Sequence, residues 1–280
     1  MANHTVTVTA LYYYPVKSLQ GIAVDEATIT PQGLQHDRQW MVVDADSRVV
    51  TQRQLPGMAL LRAAITDNGL ILTNADDANI EVHNAQLSQE PTEVFLFRDS
   101  CSGYSAPAEI NHWLATTLGS DTPLRLVKFA TDQERNTVHS ERFAGHTPYF
   151  ADASPFLVVN TASLEALNTH LSQNNQTQIS INHFRPNIVL SGIDAFAEHR
   201  FLKLKNDTFE FTLVDHSSRC SVITVNPATG KFLPKGYPLK ALMRVNTLPH
   251  KPTKPAFGVN SVLIHGSGNI LTIGDRFSVE

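Results

Sequence analysis

Arg219 and Cys220 sit in the run Asp215-His-Ser-Ser-Arg-Cys-Ser-Val-Ile-Thr-Val-Asn-Pro-Ala-Thr-Gly230, which sets a guanidinium directly beside a thiol. A neighbouring cation favours the thiolate, the form that attacks electrophiles and binds soft metals. The β-branched run Val222 to Val225 places this thiol at the lip of a strand, closed by a turn at Asn226, Pro227 and Gly230. A lone cysteine is also a common buried apolar residue, so the stretch by itself favours neither reading. Nucleophilic catalysis with His216 fits less well: four residues apart on a strand, the two would lie roughly 13 Å from each other.

Four other segments carry polar chemistry next to strand ends: Lys17-Ser18 after Tyr14-Pro-Val, Arg38 after Asp37, Asp152-Ala-Ser154 before Pro155, and Arg185-Pro-Asn187. Singly, each has an ordinary explanation: a solvated lysine, a surface ion pair, a turn, a structural arginine. Together with Arg219 they supply four cations with hydroxyl and amide groups. Such a set can hold a phosphorylated, heteroatom-rich cofactor, because guanidinium forks recognise phosphate oxygens in pairs. His139, His146 and Asp215 are candidate proton donors only if the fold brings them near the site, a solvated loop position being the simpler reading of the two histidines.

The elements that must position these residues are mostly strands. From Thr5 to about Phe97, short alternating runs such as Trp40-Met-Val-Val43, Leu70-Ile-Leu72 and Val94-Phe-Leu-Phe97 are separated by turn signals at Pro31-Gln-Gly33, Pro56-Gly57 and Asp67-Asn-Gly69. Ile110, Trp113, Leu114 and Leu118, with Pro107 before and Gly119 after, predict an amphipathic helix bridging two domains. The second half predicts a polar stretch over 131–147, a strand at Leu157 to Val159, a helix from Thr161, strands at 188–190, 201–204 and 208–214, and a closing hairpin through His265-Gly-Ser-Gly268. The expected fold class is mostly β with a few helices, α+β, in two domains: residues 1–120, a small sheet or barrel with the bridging helix, and residues 121–280, a second strand-rich unit.

Composition excludes several classes. The chain has 22 basic and 26 acidic residues among 280, a net charge of −4, and no Lys/Arg stripe to follow a phosphate backbone, which disfavours general nucleic-acid binding. No apolar run reaches membrane-spanning length, and the start has no signal-peptide pattern. Two cysteines are too few for a disulfide framework or an all-thiolate zinc site, and free thiols suit a reducing, cytoplasmic compartment.

Taken in order, Tyr14-Pro-Val-Lys-Ser18 with Gly21, Asp37-Arg-Gln-Trp40, Phe150-Ala-Asp-Ala-Ser-Pro-Phe156, Arg185-Pro-Asn187 and Arg219-Cys220 followed by Thr224-Val-Asn-Pro-Ala-Thr-Gly230 resemble the MOSC-domain molybdoenzymes. Within that family the chain is most similar to the bacterial YcbX-like proteins and the mitochondrial amidoxime-reducing components. The resemblance implies a MOSC N-terminal β-barrel domain packed on a MOSC β-barrel domain, with the molybdenum cofactor (Mo-molybdopterin) between them. It implies Cys220 as metal ligand and catalytic residue, and Lys17, Ser18, Arg38, Asp152, Ser154, Arg185, Asn187, Ser218 and Arg219 as cofactor-binding positions. It further implies reduction of N-hydroxylated compounds such as amidoximes, hydroxylamines and N-hydroxylated nucleobases. Two departures stand out: no four-cysteine ferredoxin motif follows the MOSC segment, and the residues just before Arg219, Asp215-His-Ser-Ser218, lack the additional cysteine of the mitochondrial relatives. Electrons are therefore expected from a separate ferredoxin- or flavodoxin-like protein and its reductase. The alternative expectation is a cofactor-binding or sulfur-carrier module in which Cys220 holds a persulfide.

Overall fold

The computed structural model describes residues 4–132, 135 and 141–280. Its main strands, in chain order, are β1 (Thr5–Tyr13), β2 (Trp40–Val43), β3 (Thr92–Leu96), β4 (Asp99–Ser105), β5 (Arg125–Phe129), β6 (Phe156–Asn160), β7 (Ile188–Ser191), β8 (Lys203–Lys205), β9 (Glu210–Ser218), β10 (Lys251–His265) and β11 (Arg276–Val279). Three helices accompany them: α1 (Ala108–Leu118), α2 (Thr161–Gln173) and α3 (Tyr237–Val245).

Seven strands close a barrel in the order β6-β7-β1-β11-β8-β9-β10, with β10 pairing back onto β6 through Phe156 opposite Ser261. Closure leaves no free edge among these strands, and the interior is filled by side chains such as Phe156, Phe209, Phe211 and Phe277. In β1 the buried positions Val6 and Val8 are followed by Leu11, because the register slips between Val8 and Ala10 and the inward face changes parity. β6 and β7 are parallel, so their connection must cross over. It does so through α2, whose first turn is capped by Asn160 Oδ1 accepting from Ala162 N at 3.2 Å.

The other half is a half-barrel: the sheet β2-β5-β4-β3 beside an antiparallel meander of strands 62–66, 69–73 and 79–83. Trp40, Leu70, Leu72, Val82, Ile110 and Leu114 pack in its core. α1 ends as its sequence predicts, at Gly119 with φ 60°, but it packs inside this cluster rather than between the two halves.

Two other expectations are corrected. The segment after His265 turns at Gly266 and Gly268, yet 270–272 pairs with 26–30 while β11 pairs with β1 and β8, so no hairpin forms with β10. Val222 to Val225 is largely a 3-10 turn over 221–224. Thr224 Oγ1 donates to Ser221 O at 2.7 Å and Ile223 inserts into the core, overriding β propensity, so Cys220 stands at the exit of β9 instead.

The first strand belongs to the seven-stranded barrel, residues 22–24 pair back onto it and 26–30 pair with 270–272, and only then does the chain enter the half-barrel at β2; after β5 it returns to enter β6. Lys17 and Ser18 follow β1, Arg38 precedes β2, and Asp152 and Ser154 precede β6.

Candidate active site

A cavity of about 480 Å³ opens between the halves, and Lys17, Ser18, Arg38, Asp152, Ser154, Arg185, Asn187, Ser218, Arg219 and Cys220 all line it. Residues separated by up to two hundred positions are thus brought together. Six of the lining side chains are cations, Arg53 and Arg142 being the two that sequence reasoning leaves out, against the single carboxylate of Asp152.

Each wall is braced from the opposite half. Arg38 Nη2 donates to Arg185 O at 3.1 Å and its Nη1 to Asn187 Oδ1 at 3.1 Å and to Asp37. Arg185 reaches back to Leu19 O at 2.7 Å. Both guanidinium groups lie over the Tyr14 ring, at 4.3 and 4.2 Å from its centroid. Tyr14 is held in turn by its hydroxyl donating to Pro186 O at 3.1 Å and by its N–H donating to Asp37 Oδ1 at 2.8 Å. Burial raises the Tyr14 phenol and depresses Arg185 to about 10. Asn187 is 1% exposed and its amide serves the fold, accepting from Leu157 N and donating to Tyr12 O, so it fixes Arg38 as well as lining the cavity.

Lys17 is 5% exposed and donates to Phe150 O at 2.8 Å and to Asp152. Desolvation lowers its pKa and the Asp152 carboxylate opposes that. The Asp152 side chain presents 66% of its area to the cavity opening, yet protein atoms crowd the carboxyl. Desolvation would raise it, and Lys17, followed by Arg38 and Arg219, overrides this and holds it at about 2. Ser154 Oγ donates to Phe156 O at 2.8 Å and meets Asn260 Oδ1 at 3.3 Å; Asn260 donates to Asp215, which pairs with Arg142.

Arg219 donates to Ser217 Oγ at 3.0 Å and to Phe184 O at 2.8 Å, leaving Ser218 and Cys220 exposed at the lip. Burial lowers the Arg219 guanidinium. Cys101, by contrast, is a buried core residue whose thiol burial pushes up to about 11. His216 does not face Cys220 as a base. Its ring stacks on His199 at 4.0 Å and its Nε2 meets His199 O at 2.9 Å. His146 does not line the cavity and His139 lies outside the described residues.

Four lining residues that are not glycine, Ser18, Arg38, Phe97 and Arg185, have φ of 67°, 49°, 58° and 56°. Left-handed backbone at such residues is held only where the surroundings over-determine it, and it gathers at functional sites. One residue absent from the sequence motifs braces a different part of the wall. Arg135, 6% exposed, donates to Asp99 Oδ2 at 2.7 and 3.1 Å, to Tyr149 O and Ala151 O at 2.9 and 2.6 Å, and to Asp152 O at 3.2 Å. It clasps the loop that carries Asp152 and Ser154. Its place within a polar run offered no sequence signal.

The donor set fits an anionic, phosphate-bearing group. Arg185 Nη2 and Arg219 Nε are buried without a hydrogen-bond partner among the described residues, so the protein itself leaves guanidinium donors unused at two walls of the cavity. No trio of His, Cys, Asp or Glu able to hold a bare ion occurs among the described residues, so a metal at Cys220 would bring its other donors with it.

Family models match twice: the MOSC N-terminal beta barrel domain over residues 5–121 and the MOSC domain over residues 145–278. The chain is 33% identical over 232 residues to mitochondrial amidoxime-reducing component 1 of Xenopus laevis, covering 80% of this chain and 66% of that protein. It is 31% identical over 244 residues to component 2 of Bos taurus, covering 84% and 71%. Among solved structures, the YUAD protein of Bacillus subtilis overlays with a TM-score of 0.46 at 10% identity, covering 98% of this chain and 95% of that one. The chain belongs to the MOSC family, as a member that joins a MOSC N-terminal barrel to a MOSC domain in the manner of the amidoxime-reducing components.

Proposed function

We propose that this protein is a molybdenum-cofactor-dependent oxidoreductase that reduces N-hydroxylated small molecules with electrons from a separate redox protein. The observation that carries the reading is the cavity's composition: six cations and one carboxylate around an exposed thiol, at the junction of the two halves. The relatives named above are called amidoxime-reducing components, which supports the substrate class.

Lys17, Arg38, Arg185 and Arg219 would hold the pterin and phosphate of the cofactor, with Ser18, Asp152, Ser154, Asn187 and Ser218 beside them. Cys220 would be the protein's ligand to the metal, a soft donor suited to a metal that changes oxidation state. When bound, the group supplies two-electron chemistry at the N–O bond. The overall change breaks that bond: R–NH–OH with two electrons and two protons gives R–NH2 and water. Burial of the cation wall makes each charge more effective, because little water screens it. Asp152, ionised down to about pH 2, keeps Lys17 aimed across the cavity mouth. Asp215 does not line the cavity; it holds Asn260 and Arg142, two residues that do, in place. No helix is long and apolar enough to cross a membrane among the described residues, and a cytoplasmic setting is part of the proposal because both thiols are free.

The test is metal analysis of protein made in a host that synthesises the cofactor, with benzamidoxime reduction driven by reduced methyl viologen. Near-equimolar molybdenum and dye-linked turnover that falls to background in Cys220→Ala are expected. Molybdenum-free protein, or a Cys220 persulfide by mass spectrometry with no amidoxime reduction, would sink the proposal, the latter in favour of a sulfur carrier.

A further inference from the structure

Between Asp215 and Asp275 the chain contains no acidic residue, while it carries Arg219, Lys231, Lys235, Lys240, Arg244, Lys251 and Lys254. Elsewhere fifteen basic residues face all twenty-six acidic ones. The rest of the chain therefore carries a net negative charge, and this span of net positive charge includes Arg219 and adjoins Cys220.

The six lysine and arginine side chains from 231 to 254 are all exposed, and among the described residues none is ion-paired, whereas Lys203 and Lys205 both pair with Glu210. They ride on one continuous unit: a short strand at 231–232, a turn at 234–236, α3, and the start of β10. α3 buries Tyr237, Pro238, Ala241 and Leu242 against the core and leaves Lys240, Met243 and Arg244 outside. Both ends of the unit are tied to the thiol turn. Leu233 N donates to Thr224 O at 2.7 Å and Ile223 N to Cys220 O at 3.3 Å, while Arg219 N donates to Pro255 O at 2.8 Å. Two large apolar side chains lie among the cations, Phe232 at 51% and Met243 at 42% exposure.

We infer that this face is the docking surface for an acidic electron-carrier protein, one whose carboxylates surround its own redox centre. The inference rests on the reductase reading above, which requires electrons to arrive beside Cys220. A carrier of negative charge meets net negative charge on the rest of the chain and net positive charge on this unit, so the charge distribution steers and orients the encounter. Aromatic and Met residues inside a charged rim are the composition of a protein interface core. A small, weak, charge-steered contact is what carrier turnover needs, because the carrier must leave after each delivery.

The experiment compares the cofactor-loaded full chain with its Lys235→Glu/Lys240→Glu/Lys251→Glu variant, using an acidic [2Fe–2S] ferredoxin as probe. Association is measured by surface plasmon resonance at low salt and at roughly 300 mM salt, where charge attraction is screened within about 6 Å. Binding that weakens on the order of tenfold with salt, and on the order of tenfold with the triple variant at low salt, is the expected result. The KM for ferredoxin-driven turnover should rise in step, while turnover with reduced methyl viologen, which needs no docking, stays within about twofold. Arg62→Glu, an exposed cation of the other half, should bind ferredoxin as the wild type does. Equal ferredoxin binding by wild type and triple variant overturns the inference, as does preference of the wild type for a duplex oligonucleotide over the ferredoxin. If viologen turnover is absent while charge-dependent binding persists, the reductase reading fails and the docking surface stands.

Discussion

Two sets of cations lie on either side of Cys220, and they are built in opposite ways. Those lining the cavity wall are nearly all committed: Arg38, Arg185 and Arg219 each donate to backbone carbonyls of another segment, and Lys17 is pinned between Phe150 O and Asp152. Those on the 231–254 unit are exposed and carry no ion pair among the described residues. Buried positive charge is costly unless hydrogen-bonded or opposed, so the satisfied donors hold the wall rigid and their removal is expensive, while Arg185 Nη2 and Arg219 Nε stay unmet by described residues. Exposed positive charge contributes little to stability and acts at a distance. Side-chain chemistry alone does not separate the two sets; burial and partnering do.

The strongest way to break this contrast is at Arg135, the cation that clasps the 148–152 loop. Arg135→Met should destabilise the protein by about 3–5 kcal/mol, because a buried guanidinium bound to a carboxylate and several carbonyls is lost. Urea unfolding measures it. Arg135→Lys keeps the charge but cannot span Asp99, Ala151 and Asp152 together, so it should recover only part of the loss. If Arg135→Met unfolds at the wild-type midpoint, the wall is not rigid in the sense argued here.

Next in size is Gly21. A Cβ at this position would come within 2.4 Å of Tyr14 Cε1, and Tyr14 is the ring on which Arg38 and Arg185 both rest. Gly21→Ala should therefore cost about 1–3 kcal/mol through forced displacement of the ring, and it should weaken cofactor retention, measured as molybdenum content, more than a surface Gly→Ala does. Gly57 supplies that control, since nothing lies within 4 Å of its would-be Cβ. Equal metal content in the two variants would show that the Tyr14 platform does not set the guanidinium positions.

The sequence made the fold class and the ends of α1 readable, because local periodicity and the Pro107 and Gly119 signals act within a few residues. Ten of the positions that line the cavity were reachable through the motifs quoted from the sequence, most of them next to strand ends. What stayed hidden depends on distant pairing. The exchange that puts β1 in one sheet and β5 in another follows from distant partners, β7 and β11 for β1 and, more than eighty residues back along the chain, β2 for β5. The 270–272 strand takes 26–30 as its partner for the same reason. Arg135 reads as one more polar residue in a polar run until the loop at 148–152 folds over it. Ile223 reads as a strand residue until the core claims it. The acid-free span is plain in the amino-acid order, but a net charge of −4 averages it with its opposite.

The smallest expected effect sharpens the contrast from the other side. Reversing one exposed lysine, Lys240→Glu, should change unfolding free energy by no more than about 0.5 kcal/mol, because the side chain touches no buried network. The sign should be towards greater stability. Lys240 has Arg244 four residues on along α3, and like charges at that spacing repel by a few tenths of a kcal/mol, so the reversal converts a repulsive pair into an attractive one. The gain should fade as salt rises, since screening removes repulsion and attraction alike. Thermal unfolding of wild type and Lys240→Glu at low and high salt measures both. A lysine whose loss stabilises the fold is held at that position by something other than folding, and the ferredoxin binding of the same variant says whether that something is the carrier.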